Sequence, residues 1–375
     1  MKPSSRVIAT SLVLLGLAGA ACAQGSVTAF GLIDANVGRY KGAAAGVTPS
    51  DAALYRQDAS GLSTSYIGFR GTEDLGDGLS AFFELQSFMR NDAGTAGRND
   101  AICAGPPAPA PACSAVNVAA DPFWSKAAFI GLSSSTLGRL RLGQITTAIF
   151  LSSTTTNAFG DSTTFSPINL LMFIGSPLAG GTGWTNSVAY DSPNLGGFTA
   201  NLQKSLAEGP NGGNIGGRVA YTGGPFVASL AYSNVEKDPV TFSDGTTRNN
   251  TKNTLAGIGY DFGVVRVYGH LGRIRSDGSG TTTAADNNIT FKIWDLSAVV
   301  PIGLGRVMLG YGVRKGDEAF ASERSLASAG YAYSLSKRSE LYALTRSDKN
   351  RGAGTTAPAV QAKGASYALG FRHFF

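Results

Sequence analysis

The chain has 375 residues, with 31 Lys and Arg against 25 Asp and Glu and a sequence pI near 9.2. Its basic residues are dispersed, with no basic run and no basic–aromatic cluster, which excludes an obvious nucleic-acid-binding surface. Glycine supplies 50 residues, and 20 Phe and 13 Tyr accompany only three Cys, four Met and two His; the usual glycine share is about 7%.

The first residues predict a compartment. Lys2 and Arg6 precede an apolar stretch from Val7 to Ala20, and Ala21-Cys22-Ala23 forms a small-x-small site before Gln24. That order predicts a secretory signal peptide over residues 1–23, cleaved after Ala23. The apolar stretch is short for a membrane helix. A lipid-bearing Cys22 is the rival reading, but Gly19 stands three residues before it, where such signals usually carry Leu. Residues 24–375 then form a single domain. Without Lys2 and Arg6 it holds 29 basic and 25 acidic residues, a net of +4. No later segment reaches the ~18–20 continuous apolar residues of a spanning helix.

Along that domain, helical spacing is nearly absent and alternation is common. Phe226, Ala228, Leu230 and Tyr232 alternate with Val227, Ser229, Ala231 and Ser233. Val307, Leu309, Tyr311 and Val313 alternate with Arg306, Met308, Gly310, Gly312 and Arg314. A period of two gives a strand one apolar face. Sixteen strands are predicted, over 26–40, 62–73, 79–91, 123–133, 138–144, 185–191, 198–207, 214–223, 226–236, 253–262, 264–275, 288–301, 305–315, 323–335, 339–348 and 362–375.

The connections decide what the strands build. Tight turns such as Asp74–Gly78, Gly223-Gly224-Pro225, Ile302-Gly303-Leu304 and Ser336-Lys337-Arg338 carry hairpin residues. They alternate with mostly longer polar segments: 41–61, 92–122, 145–184, 237–252, 276–287 and 349–361. A sandwich has no reason for that alternation. An outer-membrane barrel does, with brief periplasmic turns and long outer loops. The predicted fold is all-β, a sixteen-stranded antiparallel transmembrane barrel. Closure would satisfy the backbone groups that lipid cannot, and sixteen strands would leave an aqueous channel.

Ala104 to Ala112 alternates Pro and Ala and reads as a loop tip between Cys103 and Cys113. In an oxidising compartment, with Cys22 removed, those two thiols are expected to form a disulfide. Closing so short a loop would contribute about 2–3 kcal/mol. Zinc is the rival, but no His lies nearby.

Several segments together resemble the trimeric general porins of betaproteobacteria. They are Ser26-Val27-Thr28-Ala29-Phe30-Gly31-Leu32-Ile33-Asp34-Ala35, Ile67 to Gly76, Asn186 to Asn194, Leu335-Ser336-Lys337-Arg338 and Gly370-Phe371-Arg372-His373-Phe374-Phe375. They span the domain in the right order. The resemblance implies localisation in the Gram-negative outer membrane, a homotrimer, and a third outer loop folded into the pore. Outer-membrane lipid and lipopolysaccharide would surround it. Tyr367, Leu369, Phe371 and the terminal Phe375 resemble the signal read by the barrel-insertion machinery, with His373 a departure from an apolar residue.

The site residues follow from strand parity. Arg70, Arg139, Arg141, Arg306, Arg314 and Arg372 fall opposite the apolar face, and Lys126, Glu84 and Arg266 are placed with them. A lipid-facing charge near the midplane would cost about 2–4 kcal/mol, so the lumen is their expected place. Between Gln144 and Tyr190 the only charged residue is Asp161, either a solvated loop residue or the loop's contribution to the constriction.

Family departures qualify the pore. Tyr66, Gly183, Trp184, Gln144 and Ala189 stand where such porins often carry Arg, while the basic residue at Lys126 is kept. The expected eyelet is therefore weakly charged, with Tyr66 on its wall. No metal-ligand spacing, phosphate loop or cofactor motif is present. His270 reads as a lumen residue and His373 as part of the terminal motif, which argues against an enzyme. The leading expectation is passive diffusion of ions and small hydrophilic solutes. A channel selective for small organic acids or sugars is the alternative, and an adhesion or anchoring protein with an incidental pore is the third.

Overall fold

The computed structural model describes residues 25–42, 53–97, 123–173, 181–207, 213–241, 247–279, 288–317, 322–352 and 360–375. The signal segment, Cys103 and Cys113 lie outside the described residues. In chain order the first strands are β1 (Ser26–Tyr40), β2 (Leu54–Asp58), β3 (Tyr66–Gly76), β4 (Leu79–Arg90), β5 (Thr95–Ala96), β6 (Ala127–Ser134) and β7 (Gly138–Thr146). Two helices follow, α1 (Ala148–Thr155) and α2 (Pro167–Met172). Then come β8 (Gly183–Asp191), β9 (Phe198–Ser205), β10 (Ile215–Gly223), β11 (Phe226–Thr241), β12 (Thr247–Asp261) and β13 (Arg266–Ser279). The chain ends with β14 (Ile289–Ile302), β15 (Gly305–Gly316), β16 (Glu323–Ser334), β17 (Ser339–Gly352) and β18 (Val360–Phe374).

Sixteen of these strands are the staves of one closed antiparallel barrel, and β2 and β5 are short additions. Closure runs through β1. Residues Ser26–Leu32 pair with β3, and Leu32–Arg39 pair with β18. Gly31 and Phe375 exchange both backbone hydrogen bonds at 3.1 Å. Beside the far half of β1, β2 takes the place that β3 has left.

The tight turns gather at one end. Asp77 (φ 49°) and Gly78 (φ 75°) turn β3 into β4, and Gly224 (φ 54°) and Gly303 (φ 57°) make two further hairpins. Such two-residue turns need positive φ to match strand twist, which suits Gly and Asp. The alternating faces are as expected. Leu230, Leu309 and Tyr311 are exposed outside, while Ser229, Ala231 and Met308 are buried inside. Aromatic side chains flank the apolar band, including Phe198, Tyr221 and Phe226 at the turn end. Outward aromatics at band edges are characteristic of a barrel in lipid.

Several boundaries differ from the expectation, among them the strand expected over 123–133, which runs Ala127–Ser134. The strand expected from residue 62 begins at Tyr66, because residues 59–65 fold into the lumen. β11 and β12 extend farther toward the loop end than 226–236 and 253–262. The segment 145–184, expected as loop, carries both helices. Thr147 caps α1 by accepting the Phe150 amide hydrogen at 3.3 Å. Ser166 caps α2, whose first residue is Pro167. These caps satisfy helix-end amides that short helices otherwise leave open.

Candidate functional site

The segment between β7 and β8 enters the barrel and lies along its inner wall. Helix α1 rests against β9–β12 and α2 against β13–β16. Its apolar side chains form the molecule's core. Ile168, Leu170, Leu171, Met172 and Phe173 are buried against Leu255, Ile274, Phe291, Ile293 and Leu326 of the wall. Phe159 and Phe165 pack with Leu62, Met308, Tyr342 and Leu344. A fully buried side chain of this size contributes about 1.5–3 kcal/mol, so the segment is an anchored part of the wall.

Polar side chains of the wall hold its backbone. The Gln203 amide bridges it, accepting from the Ala148 amide at 3.0 Å and donating to the Thr146 carbonyl at 2.8 Å. Ser152 donates to Ser229 at 2.8 Å. Thr156 Oγ1 meets His270 Nε2 at 2.8 Å, and Asp295 Oδ1 lies 3.0 Å from the other ring nitrogen. Arg314 donates to the Leu171 carbonyl at 3.2 Å, and Arg346 donates to that of Thr164. Behind them Arg324 and Asp348 form a buried two-pronged ion pair, closest at 2.7 Å.

A second clasp starts from β1. The buried Asp34 carboxylate accepts the amide hydrogens of Gly61, Leu62 and Ser63 at 3.2, 3.0 and 2.8 Å, and the Tyr342 hydroxyl. The inward turn so formed meets the inserted segment. Gly61 accepts from Ser162 at 2.7 Å, Ser60 from Thr164 at 3.0 Å, and Ser63 donates to Asp161 at 2.8 Å. Arg372 donates to the same Ser63 hydroxyl at 2.6 Å, and Glu340 bridges Arg372 and Arg306 at 2.5 Å each.

With β9–β16 covered, lumen-facing side chains of β3, β4, β6, β7 and β8 form the opposite wall. Tyr66, Arg70, Glu84, Lys126, Arg139 and Arg141 gather there; Lys126 has the outward parity of Ala128 and Ile130 but reaches the lumen from the bend that precedes β6. The Lys126 ammonium lies 4.3 Å from the Tyr66 ring centroid and also donates to Gln86. Arg70 lies in register with Glu84 on β4, its guanidinium 4.8 Å over the Phe30 ring. Arg139 stacks on Phe82 at 4.6 Å and Arg141 on Phe129 at 5.4 Å. Arg141 also makes a two-pronged pair with Asp191, at 2.7 and 2.9 Å. Stacking on rings holds these cations against the wall.

The remaining expected residues separate. Asp161 is half-buried on the inserted segment, linked through Ser63 to Arg372. Arg306 and Arg372 share Glu340. Arg314 is a correction: it has lumen parity, yet it is 5% exposed beneath α2 and holds the Leu171 carbonyl. Arg266 pairs with Asp261 at the turn end, at 2.6 Å. His270 lies on the lumen face but under α1. Tyr367, Leu369 and Phe371 point outward and Phe375 is exposed. Asp34, Tyr342, Glu340, Arg346 and the Arg324–Asp348 pair were not expected as site residues. Their lumen parity was readable, but their partners come from segments 20 to 308 residues away.

Comparison with known proteins agrees with this architecture. Residues 9–353 match the Gram-negative porin family. The chain is 32% identical over 372 residues to outer membrane porin protein 32 of Delftia acidovorans, covering 94% of this chain and 92% of that one. An anion-selective porin from Comamonas acidovorans superposes with a TM-score of 0.73 at 28% identity, covering 94% of this chain and all of that one. A trimer form of OmpT from Vibrio cholerae shares the fold, with a TM-score of 0.62 at 12% identity and coverage of 94% and 99%.

Proposed function

The chain belongs to the Gram-negative porin family and forms an outer-membrane pore for passive diffusion, and we propose that its eyelet discriminates only weakly by charge. One observation carries this reading. Cations and carboxylates are interleaved around the opening: Arg70, Lys126, Arg139 and Arg141 stand with Glu84, Asp191 and, from the inserted segment, Asp161. Arg372 and Arg306, joined through Glu340 and Ser63 to Asp161, add two positive charges and one negative, so six cations face four carboxylates. The field at a pore's narrowest point sets its charge selectivity, and here most of the positive charge is offset. Rings of Tyr66, Phe82 and Phe129 carry the cations and leave an aromatic surface beside the path.

The solutes are then ions and small hydrophilic molecules. A tenfold KCl gradient across a planar bilayer tests the reading. We expect a reversal potential well short of the ~59 mV of an ideally selective pore for a univalent ion. A value approaching that limit on the anion side would overturn it.

Two further parts of the reading concern assembly. The functional unit is a homotrimer, supported by the resemblance of its strand motifs to trimeric porins. Crosslinking in mild detergent is expected to give a three-chain band, and a monomer alone would refute it. The outward Tyr367, Leu369 and Phe371 with the terminal Phe375 serve as the insertion signal. Removal of Phe375 is expected to leave the chain unassembled in the periplasm, and normal assembly would refute that role.

A further inference from the structure

The outer face of the barrel is not evenly charged. On β6 to β10 it carries one charged side chain, Lys204, among the described residues. On β13 to β17 a row of charges crosses the sheet near the loop end. Arg273, Lys292, Lys315, Glu323 and Arg351 are successive register partners on five adjacent strands. One row nearer the midplane, Lys349 stands directly opposite Lys363 on β18. All six cations are exposed. All share the outward parity of Leu271, Leu309 and Tyr311, so they face away from the channel.

This arrangement is unfavourable by itself. Arg273, Lys292 and Lys315 place three like charges side by side, and Lys349 and Lys363 place two. Like charges directly opposite in a sheet destabilise it. Lys315 is relieved by Glu323 at 3.4 Å. Among the described residues none of Arg273, Lys292, Lys349, Arg351 and Lys363 has an acidic partner at ion-pair distance. Strand spacing of about 4.8 Å puts the three adjacent cations within roughly 10 Å of one another. Such a span suits two phosphate groups on one headgroup.

The level of the row identifies the partner. Trp294 follows Lys292 on the same face, with Tyr311 5.5 Å away from its ring. Tyr and Trp mark the boundary between the apolar band and headgroups. The cations sit just beyond that boundary, on the side of the long loops. We propose that this face of β13–β18 binds the phosphorylated headgroup of an outer-leaflet glycolipid, which neutralises the row and fixes lipid on one side of the barrel. The proposal rests on the outer-membrane placement and is independent of the eyelet's selectivity.

The test uses the full-length protein in detergent, titrated with diphosphoryl lipid A, its monophosphoryl form and the dephosphorylated glycolipid, and read by native mass spectrometry. Affinity is expected to fall stepwise with each phosphate lost. Equal affinity for all three would overturn the proposal without any variant. The combined Arg273→Gln, Lys292→Gln and Lys315→Gln variant is expected to weaken diphosphoryl binding on the order of a hundredfold, from about fivefold per cation at a membrane surface. The control Lys337→Gln with Arg338→Gln, at the opposite end, is expected to bind as the unaltered protein does. Equal losses in both variants, or none in the triple one, would refute the assignment. Millimolar inorganic phosphate displacing the lipid completely would show a soluble-anion site and refute it as well. Conductance of the triple variant is expected to stay unchanged; its loss would implicate the pore reading instead.

Discussion

Replacing Asp34 by Ala removes the acceptor that holds residues 61–63 inside the barrel. The carboxylate is fully buried and accepts three backbone amide hydrogens, at 2.8 to 3.2 Å, and the Tyr342 hydroxyl. Hydrogen bonds to a charged group contribute about 1.5–3 kcal/mol each, so four set a ceiling of roughly 6–12 kcal/mol. The inward turn has an escape, because it can swing into the water-filled lumen and recover hydration. That release lowers the expected cost to about 3–5 kcal/mol, in the range seen when one partner of a buried charged pair is removed. The cost falls on the clasp rather than the staves. Ser63 then loses its place between Asp161 and Arg372, and the edge of the eyelet loosens. Single-channel recording of Asp34→Ala is expected to show higher conductance and more open-channel noise. A broad-specificity protease is expected to cut within 59–65. Asp34→Asn keeps one acceptor oxygen and is expected to show a smaller change. Unaltered conductance, noise and cleavage in Asp34→Ala would refute the clasp.

Other predictions use the same logic. His270→Ala leaves Thr156 and the buried Asp295 without their shared partner, and about 2–4 kcal/mol should be lost from the seating of α1; this is read as a lowered unfolding temperature on heat-modifiability gels, and an unchanged temperature would contradict it. Arg324→Ala breaks a buried ion pair and should cost about 3–5 kcal/mol, whereas Arg324→Met with Asp348→Leu should recover most of the loss; a double variant as unstable as the single one would contradict that account. Gly143 has φ 137° and a Cβ there would lie 2.1 Å from the Ala128 carbonyl oxygen, so Gly143→Ala should disrupt the bulge before α1 and lower assembled yield; normal yield and conductance would argue against it.

The barrel was legible because a two-faced strand writes its period into the sequence. Leu230 and Ser229 declare their faces without reference to any other residue, and Gly224 or Asp77 declares the turn between neighbours. The inserted segment carried no such mark. Residues 148–155 read Ala-Ile-Phe-Leu-Ser-Ser-Thr-Thr, with no apolar stripe, because α1 is packed against the wall and its own hydroxyls bond back to its carbonyls. What fixes it there is supplied by Ser229, His270, Arg314 and Arg346, all more than seventy residues onward. Parity assigned Arg70 and Arg314 to the same face correctly. It had no way to tell that α2 covers one and leaves the other open. Asp34 looked like any lumen residue of β1, since its partners are amides of a segment that looked like strand and loop.

The barrel holds an open aqueous pathway narrowed by a fixed inner segment. Its most direct measurement is single-channel conductance of the intact protein across a range of KCl, LiCl and potassium acetate concentrations. Discrete steps are expected, with a size that rises in proportion to the conductivity of each solution, without saturation. A conductance that saturates at millimolar salt, or a protein that inserts without opening any step, would contradict it.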